Sequence, residues 1–227
     1  RVLVYVEGPA DVSALQTLLK PIVDAGRKQG VGINFHDLGG KAPILSDVPR
    51  RAADHLHSNP EDWVVALPDL YPMKAYDGTD VAHRSFAELT RLLRDRFDRR
   101  ANKIGLGLEL RRRFRVHCFK HDLEALLLAA PDGLRQRLGT KDQLKGKWRL
   151  PVEDQNDDKP PKYVVDDLFK KYRKKPDKYI DTIDAAWILA RVSLDEVTRG
   201  CPQRFAPFVK ELRDFAAKID PDAPAPK

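Results

Sequence analysis

Val2-Leu3-Val4-Tyr5-Val6 is followed directly by Glu7-Gly8-Pro9-Ala10-Asp11, where an apolar helical pattern begins. The run rich in β-branched residues predicts a buried parallel strand, because such strands are covered on both faces of the sheet. Residues at the carboxyl end of a buried parallel strand lie in the crevice where open α/β sheets bind their ligands. This stretch therefore predicts a functional site that begins with Glu7.

The run Trp63-Val64-Val65-Ala66-Leu67 repeats the arrangement, because Asp69 comes shortly after it. Parallel strands present their carboxyl ends at one edge of a sheet, so we expect Glu7 and Asp69 to lie side by side. Carboxylate oxygens are the ligands that magnesium prefers in proteins. The two acids therefore predict a magnesium or manganese site that acts on phosphate groups.

The composition is that of a basic protein with enough apolar residues for one sizeable core. The 227 residues are 42% hydrophobic and 33% charged, and the formal net charge is +7. Positive surface attracts nucleic acid, because neutralising its phosphates releases counterions. No apolar run approaches the roughly 18 residues that a membrane-spanning helix needs, so no membrane partner is expected. Cys118 and Cys201 lack the spacing of zinc ligands and suit a reducing cytoplasm, where thiols stay free.

Strand-like and helix-like runs alternate from residue 2 to residue 130. This order predicts an α/β fold with a mainly parallel central sheet flanked by helices. Pro21 is expected to end or kink the first helix. The mixed polarity of the fourth strand favours an edge position. Strands are expected at Val2–Val6, Ile33–Leu38, Trp63–Leu67 and Phe114–Phe119.

The composition changes beyond residue 150, which indicates a division of the chain. Residues 1–150 are expected to form the α/β core. Residues 151–178, rich in proline and charge, form a charged linker or an insertion packed over the active face. Helical periodicity in residues 179–220 predicts a helical C-terminal portion packed on the core. Proline alternates with alanine in residues 221–227, which we expect to be disordered.

Several acids and one histidine are candidates to complete the site, and each has a structural alternative. Asp11 is a further ligand or a helix cap. Glu124 is a further ligand or an acid that favours the start of a helix. His121 donates a hydrogen bond to a phosphate or acts as the acid for the leaving group; its structural alternative is a satisfied histidine. The predicted catalytic residues are Glu7, Asp69, Glu124 and His121, and the predicted metal ligands are Glu7, Asp11, Asp69 and Glu124.

Basic residues near these acids are expected to neutralise phosphate charge. Lys41 follows Gly39 and Gly40, whose backbone can approach a ligand closely; the alternative is a tight turn with the lysine in solvent. The predicted phosphate ligands are Lys41, Arg113, Arg115 and Lys120. Other basic clusters, which predict a nucleic-acid surface or a solvated face, are Arg94, Arg96, Arg99, Arg100 and Lys103, then Arg111–Arg113, and Lys170–Lys175.

These elements resemble the hallmark of the Toprim fold, which topoisomerases, primases and OLD-type nucleases share. That hallmark is a Glu-Gly after the first strand, matched by Glu7-Gly8, and an Asp-x-Asp after the third, matched at Asp69 but with Tyr71 in second place. A closer resemblance, from Val2 to about Phe215, is to a bacterial Toprim-like family catalogued as a domain of unknown function. Its motifs here are Glu7-Gly8-Pro9, Gly39-Gly40-Lys41, Asp69-Leu70-Tyr71, His121-Asp122-Leu123-Glu124-Ala125-Leu126-Leu127 and Cys201-Pro202-Gln203-Arg204-Phe205.

The resemblance implies a Toprim-like core with a helical C-terminal portion, and an association with an ABC-type or OLD-like ATPase in defence against phage and other mobile elements. Together with the acids and the charge, it predicts a cytoplasmic, metal-dependent phosphodiesterase, a nuclease acting on DNA or RNA. Tyr71 in place of an acid favours an alternative, a non-catalytic adaptor that binds nucleic acid or an ATPase. A small-nucleotide phosphohydrolase or sensor is a third interpretation, and a homo-oligomer stays open.

Overall fold

The computed structural model describes residues 1–71, 76–144, 146–155, 159–173 and 178–222. Its strands are β1 (Val2–Val6), β2 (Ile33–Asp37), β3 (Trp63–Ala66) and β4 (Phe114–Val116). Its helices are α1 (Pro9–Leu18), α2 (Lys20–Lys28), α3 (Lys41–Ser58), α4 (Phe86–Lys103), α5 (Leu108–Arg111), α6 (Glu124–Leu128), α7 (Pro131–Leu138), α8 (Pro161–Tyr172), α9 (Asp181–Leu189), α10 (Leu194–Gly200) and α11 (Phe205–Ala216). A short 3₁₀ helix spans Val152–Asp154.

The four strands form one parallel sheet in the order β2-β1-β3-β4, which confirms the predicted α/β fold. β4 lies at an edge, as its mixed polarity predicts. Its regular ladder ends at Val116, earlier than expected, and Pro68 just beyond β3 has no N–H to donate. Pairing resumes past the proline, where the Leu70 N–H donates to the Phe119 carbonyl at 2.8 Å.

Helices cover the sheet on both faces. On one face, Val2, Val4 and Val6 are at most 1% exposed and pack with α1, α2 and the C-terminal helices. On the other face, Val64 and Ala66 pack with α3 and α4. The division follows from the alternation of side chains along a strand. β1 is thus a central strand with covered faces, which explains why the run before Glu7 is apolar throughout.

The first helical region is interrupted at Leu19, as Pro21 predicts. α1 ends before this residue, and α2 begins after it with Pro21 in its first turn. A proline there costs no hydrogen bond within the helix, because the first N–H groups have no internal partner. Farther along α2, a Cβ built on Gly26 would lie 3.4 Å from the Ala216 Cβ of α11, so the two helices approach closely.

A buried carboxylate fastens the start of α11. Glu153 is 2% exposed and accepts hydrogen bonds from the backbone N–H groups of Gln203, Arg204 and Phe205. The first N–H groups of a helix lack partners within it, and a negative charge there is favourable. Glu153 therefore ties the segment after residue 150 to α11, and α11 in turn packs on α2.

α8 is the main element within residues 151–178, and it is packed against the rest of the molecule. It buries Val164, Val165, Leu168 and Phe169, and it contacts α6. The C-terminal part also contacts the sheet's helices, with α9 lying on α1. Residues 156–158 and 174–177 of the charged segment, and residues 223–227 of the tail predicted to be disordered, lie outside the described residues.

Two further observations concern the surroundings of the chain. Within the ranges that the structure describes, no helix is both long enough and apolar enough to cross a membrane. Cys118 and Cys201 are buried thiols that form no disulfide with each other. Burial raises the pKa of the Cys118 thiol to about 12, and it raises the pKa of Cys201 as well.

Candidate functional site

A cleft of about 430 Å³ opens at the carboxyl ends of β1 and β3. Gly8 and Gly40 contribute backbone to its wall, and Lys162 contributes a basic side chain. The carboxylates that line it are those of Glu7, Asp11, Asp69, Asp122, Glu124 and Asp181. All four predicted metal ligands therefore share one cavity, although they come from positions far apart in the chain.

Glu7 and Asp69 are in direct contact. The Asp69 backbone N–H donates a hydrogen bond to Glu7 Oε1 at 3.0 Å. The Glu7 carbonyl accepts from the Gly40 N–H at 2.7 Å, which holds the turn after β2 against the end of β1. Gly40 has a φ of +136°, a backbone conformation that residues other than glycine rarely adopt. The predicted adjacency of the two acids is thus present, and it depends on this glycine turn.

The crowding of acids shifts their proton affinities. Burial raises the pKa of Glu7 to about 7, and Asp11 adds to the shift, while the Asp69 N–H and Lys41 oppose it. Burial, then Glu7 and Asp11, raise the pKa of Asp69 well above its usual range. Ionising all of these groups together is unfavourable without a counterion. The cleft is therefore a place where an external cation is attracted.

Asp11 acts as the predicted helix cap, and its position also exposes it to the cleft. Its Oδ2 accepts the Gly8 N–H at 2.9 Å, so it caps the start of α1, and it also lines the cleft. Burial raises its pKa to about 6, with further contributions from Glu124 and Asp181.

The far wall of the cleft comes from the loop before α6 and from α6 itself. Glu124 is 3% exposed, and its Oε1 lies 3.9 Å from Lys162 Nζ. Asp122, which the sequence analysis did not name as a site residue, accepts the Lys162 backbone N–H at 3.2 Å. Burial and then Glu124 raise the pKa of Asp122 to about 8. Its place two residues before Glu124 was the available signal.

Asp181 was also missed. It begins α9 and lies 3.5 Å from Lys162 Nζ. Its acidic side chain follows a segment that reads from the sequence only as a charged stretch, so nothing local marks it as a site residue. It reaches the cleft because α9 packs on α1, which starts beside Glu7.

Lys41 is a buried residue and not a solvent lysine. It is 7% exposed, its Nζ donates to the Leu70 carbonyl at 3.0 Å, and it lies 5.0 Å from the centre of the Tyr76 ring. Burial lowers its pKa, while Glu7 and Asp69 act in the opposite direction. Lys41 is therefore a fixed positive charge behind the two acids.

His121 lies beside the cleft without lining it. It is 3% exposed, and its ring stacks on Tyr71 with 5.0 Å between the ring centres. Tyr71, which stands where the Toprim hallmark has an acid, is thus engaged in an aromatic pair. This arrangement positions the loop after β3 against the loop after β4.

None of the four predicted phosphate ligands lines the cleft: Lys41 lies behind the acids, and the other three lie elsewhere. Arg115 pairs with Glu211 and Asp222. Arg113 lies over the ring of Trp63, at the amino end of β3 and so at the opposite edge of the sheet. Lys120 pairs with Asp154 at 2.9 Å and with Gln203 at 3.0 Å. Each of these three cationic side chains therefore interacts with residues distant in the sequence.

Many residues of the basic clusters around α4 are likewise paired within the chain. Arg94 lies over the Phe114 ring at 5.4 Å and donates to the Arg111 carbonyl at 3.1 Å. Ion pairs join Arg96 to Asp80, Arg100 to Asp54, Arg111 to Asp98 and Arg112 to Asp220. The net positive charge of these clusters at the surface is therefore smaller than the sequence indicates.

The donors in the cleft suit a hard divalent cation. The described lining contains carboxylates and no histidine or cysteine, which favours magnesium or manganese over zinc or copper. Among the described residues, no three His, Cys, Asp or Glu side chains converge as ligands of one ion. Magnesium is usually held by one or two carboxylates together with waters and substrate phosphates. Glu7 and Asp69 are two carboxylates of the lining that come from neighbouring strand ends.

Solved structures with a similar backbone include C-terminal regions of OLD proteins. That of Xanthomonas campestris pv. campestris, phased with iodine, is 14% identical, with a TM-score of 0.44 and 96% of each chain covered. That of Burkholderia pseudomallei is 15% identical, with a TM-score of 0.46, covering 95% of this chain and 98% of the other. Likeness at this level carries no argument about activity.

The family comparison covers most of the chain. No curated protein matches it at a significant level. The family model called "Domain of unknown function (DUF4276)" matches residues 6–213, from the last residue of β1 into α11. This range includes all five motifs on which the predicted membership rests. Of β1, only Val6 lies within it. The chain belongs to the DUF4276 family.

Proposed function

We propose that this protein is a divalent-metal-dependent phosphodiesterase, a nuclease that cleaves DNA or RNA with magnesium or manganese in the cleft. The observation that carries the proposal is the contact of Glu7 with Asp69 at the ends of two parallel strands, inside a cavity lined by six carboxylates. The Toprim motif resemblance and the net charge of +7 support a phosphate substrate on a polyanion.

Glu7 and Asp69 would hold the cation, with Asp11 and Glu124 completing the acidic wall. A divalent cation bound there supplies Lewis-acid polarisation of a phosphate and neutralises its developing charge. Alternatively, Glu7, whose pKa burial raises to about 7, would accept or release a proton in place of holding the cation. Lys41 keeps the two acids close by offsetting their repulsion.

Asp122 and His121 contribute differently. Asp122 holds the start of α8 through the Lys162 N–H, and so it orients the side of the cleft opposite Glu7. His121 stacks on Tyr71 and supports the loop that carries Asp69. A leaving-group acid at His121 would have to move into the cavity, so we assign it a positioning role.

The test is incubation of the purified protein with plasmid DNA, single-stranded DNA and transfer RNA, with and without Mg²⁺ or Mn²⁺. Cleavage should require the metal and should be lost in Glu7→Gln and Asp69→Asn. Glu61→Gln is the matched control, because Glu61 is an exposed acid outside the cleft. Absence of metal-dependent cleavage by the wild type, alone and with an ABC- or OLD-type ATPase partner, would falsify the proposal.

A second candidate function is a non-catalytic adaptor for nucleic acid or an ATPase in phage defence. The observation that favours it is Tyr71, which stacks on His121 where an active Toprim site has an acid. An adaptor would keep its partner affinity in Glu7→Ala and Asp69→Ala. Calorimetry separates the two, since an enzyme should bind Mn²⁺ in a manner that depends on these positions.

A further inference from the structure

Lys162 is the one basic residue among the described residues that line the cleft. It lies in the first turn of α8, and its side chain is 47% exposed. Its Nζ is 3.5 Å from Asp181 Oδ2 and 3.9 Å from Glu124 Oε1. A single ammonium group therefore faces acids from two different helices, at the open side of a cavity that is otherwise acidic.

The backbone of Lys162 is fixed independently of its charge. Its N–H donates to Asp122 Oδ2, and Pro161 precedes it at the first position of α8. The other carboxylate oxygen of Asp122, Oδ1, is buried and has no hydrogen-bond partner among the described residues. The anchoring bond uses the main chain, so a change of the Lys162 side chain leaves it intact.

The ammonium group and a divalent cation would draw on the same negative charge. Glu124 is a partner of Lys162 and lines the cleft with Glu7, Asp11 and Asp69. Two positive charges that share carboxylates a few ångströms apart weaken each other's binding.

We propose that Lys162 is a tethered counterion of the cleft, which a divalent cation must displace from Glu124 and Asp181. The inference rests on the proposed metal site and adds to it a residue that determines the affinity for the cation. It predicts that removing the ammonium group tightens cation binding, whereas loss of an ordinary substrate-binding residue would leave cation affinity unchanged.

The experiment measures Mn²⁺ affinity by calorimetry for the wild type, Lys162→Met, Lys162→Arg and Lys170→Met. Methionine keeps the aliphatic stem of Lys162 and its backbone bond to Asp122, and arginine keeps the charge. Lys170, an exposed residue of the same helix outside the cleft, provides the matched control. Lys162→Met should bind Mn²⁺ about fivefold more tightly, the size expected of a partly exposed ion pair.

Each result has a separate meaning. Tighter binding in Lys162→Met, with Lys162→Arg and Lys170→Met close to the wild type, supports the counterion role. Unchanged or weaker binding in Lys162→Met overturns it while leaving the metal site in place. A wild type that binds no Mn²⁺ overturns the proposed function and the counterion role together. Thermal melting of each variant without metal verifies that the fold is retained.

Discussion

The Asp69 N–H donates to Glu7 Oε1 at 3.0 Å, so the side chain of the acid that follows β1 is hydrogen-bonded to the backbone of the acid that follows β3. This bond spans 62 positions in the sequence and fixes the spacing of the two strand ends. Glu7 also lines the cleft. The pair is thus a joint in the fold as well as the centre of the candidate site.

Glu7→Gln should separate these two roles. A glutamine oxygen still accepts the Asp69 N–H, whereas an alanine leaves that donor without its partner. We expect Glu7→Gln to unfold at the same urea concentration as the wild type or a higher one, and Mn²⁺ binding to fall at least about tenfold. Urea denaturation and calorimetry measure the two effects. Retained Mn²⁺ affinity in this variant would contradict the assignment.

Lys41→Met should destabilise the fold. The variant removes the hydrogen bond to the Leu70 carbonyl and the positive charge behind Glu7 and Asp69. Loss of a buried charged donor predicts a decrease of roughly 2–3 kcal/mol in the free energy of unfolding. Chemical denaturation provides the value, and Lys103→Met, at an exposed position of α4, is the control. Equal stability of the two variants would count against a buried countercharge.

Glu211 of α11 accepts hydrogen bonds from Arg115 of β4 and from His117 just beyond it. This network predicts a pH-dependent contribution to stability. Burial alone would raise the pKa of Glu211, but hydrogen bonds from His117 and Arg115 outweigh it and lower the pKa. A carboxylate with a lowered folded pKa contributes stability above its unfolded pKa, and this is lost as pH falls through the folded value.

Glu211→Gln should therefore lower the free energy of unfolding by roughly 2 kcal/mol at pH 7, since it leaves the partly buried Arg115 guanidinium with a neutral partner. The difference from the wild type should shrink as pH falls below the ordinary glutamate range and through the lowered pKa of the folded Glu211 carboxyl, where the wild type becomes protonated. Urea denaturation at a series of pH values measures this trend, with Glu109→Gln at an exposed site as the control. A difference that is constant from pH 7 to pH 3 would exclude the network as its source.

Glu153→Gln should loosen the start of α11. The carboxylate holds the N–H groups of Gln203, Arg204 and Phe205, and charged acceptors at a helix start are stronger than neutral ones. We expect a loss of about 1–2 kcal/mol and faster amide hydrogen exchange in these residues. Exchange detected by mass spectrometry tests the location. Faster exchange in α4 instead would show that the effect is not local.

The thiols of Cys118 and Cys201 should resist alkylation in the folded protein. Burial raises the pKa of both, to about 12 for Cys118, and the thiolate is the reactive form. Iodoacetamide at pH 8 should leave both unmodified until urea unfolds the chain. Intact-mass spectrometry counts the adducts, and rapid modification of either thiol without urea would contradict its burial.

The sequence predicts the sheet and the central pair of acids for a clear physical reason. Apolar runs mark buried strands, and parallel strands end at one edge, so Glu7 and Asp69 could be paired without knowledge of the helices. The early end of β4 could not be predicted from its own residues. It depends on the pairing of β4 with the segment after β3, where Pro68 has no N–H to donate.

The rest of the site depends on contacts between distant parts of the chain. Asp181 and Lys162 reach the cleft only because α9 packs on α1 and α8 on α6. Arg115 looked like a phosphate ligand from its neighbours in sequence, but its partner Glu211 lies 96 positions later. Local patterns predict which residues are charged, and tertiary packing decides which charges remain for a ligand.

The apolar cluster on the α1 face of the sheet has members along the chain from Val2 in β1 to Phe215 and Ala216 in α11. Its members therefore include the strand that carries Glu7 and the helices that carry Glu124 and Asp181. A fragment that stopped at residue 150 would leave much of this cluster in water and would lack one wall of the cavity. The fragment 1–150 is therefore expected neither to complete the cleft nor to keep this cluster buried, so the C-terminal helices belong to the candidate site as well as to the core.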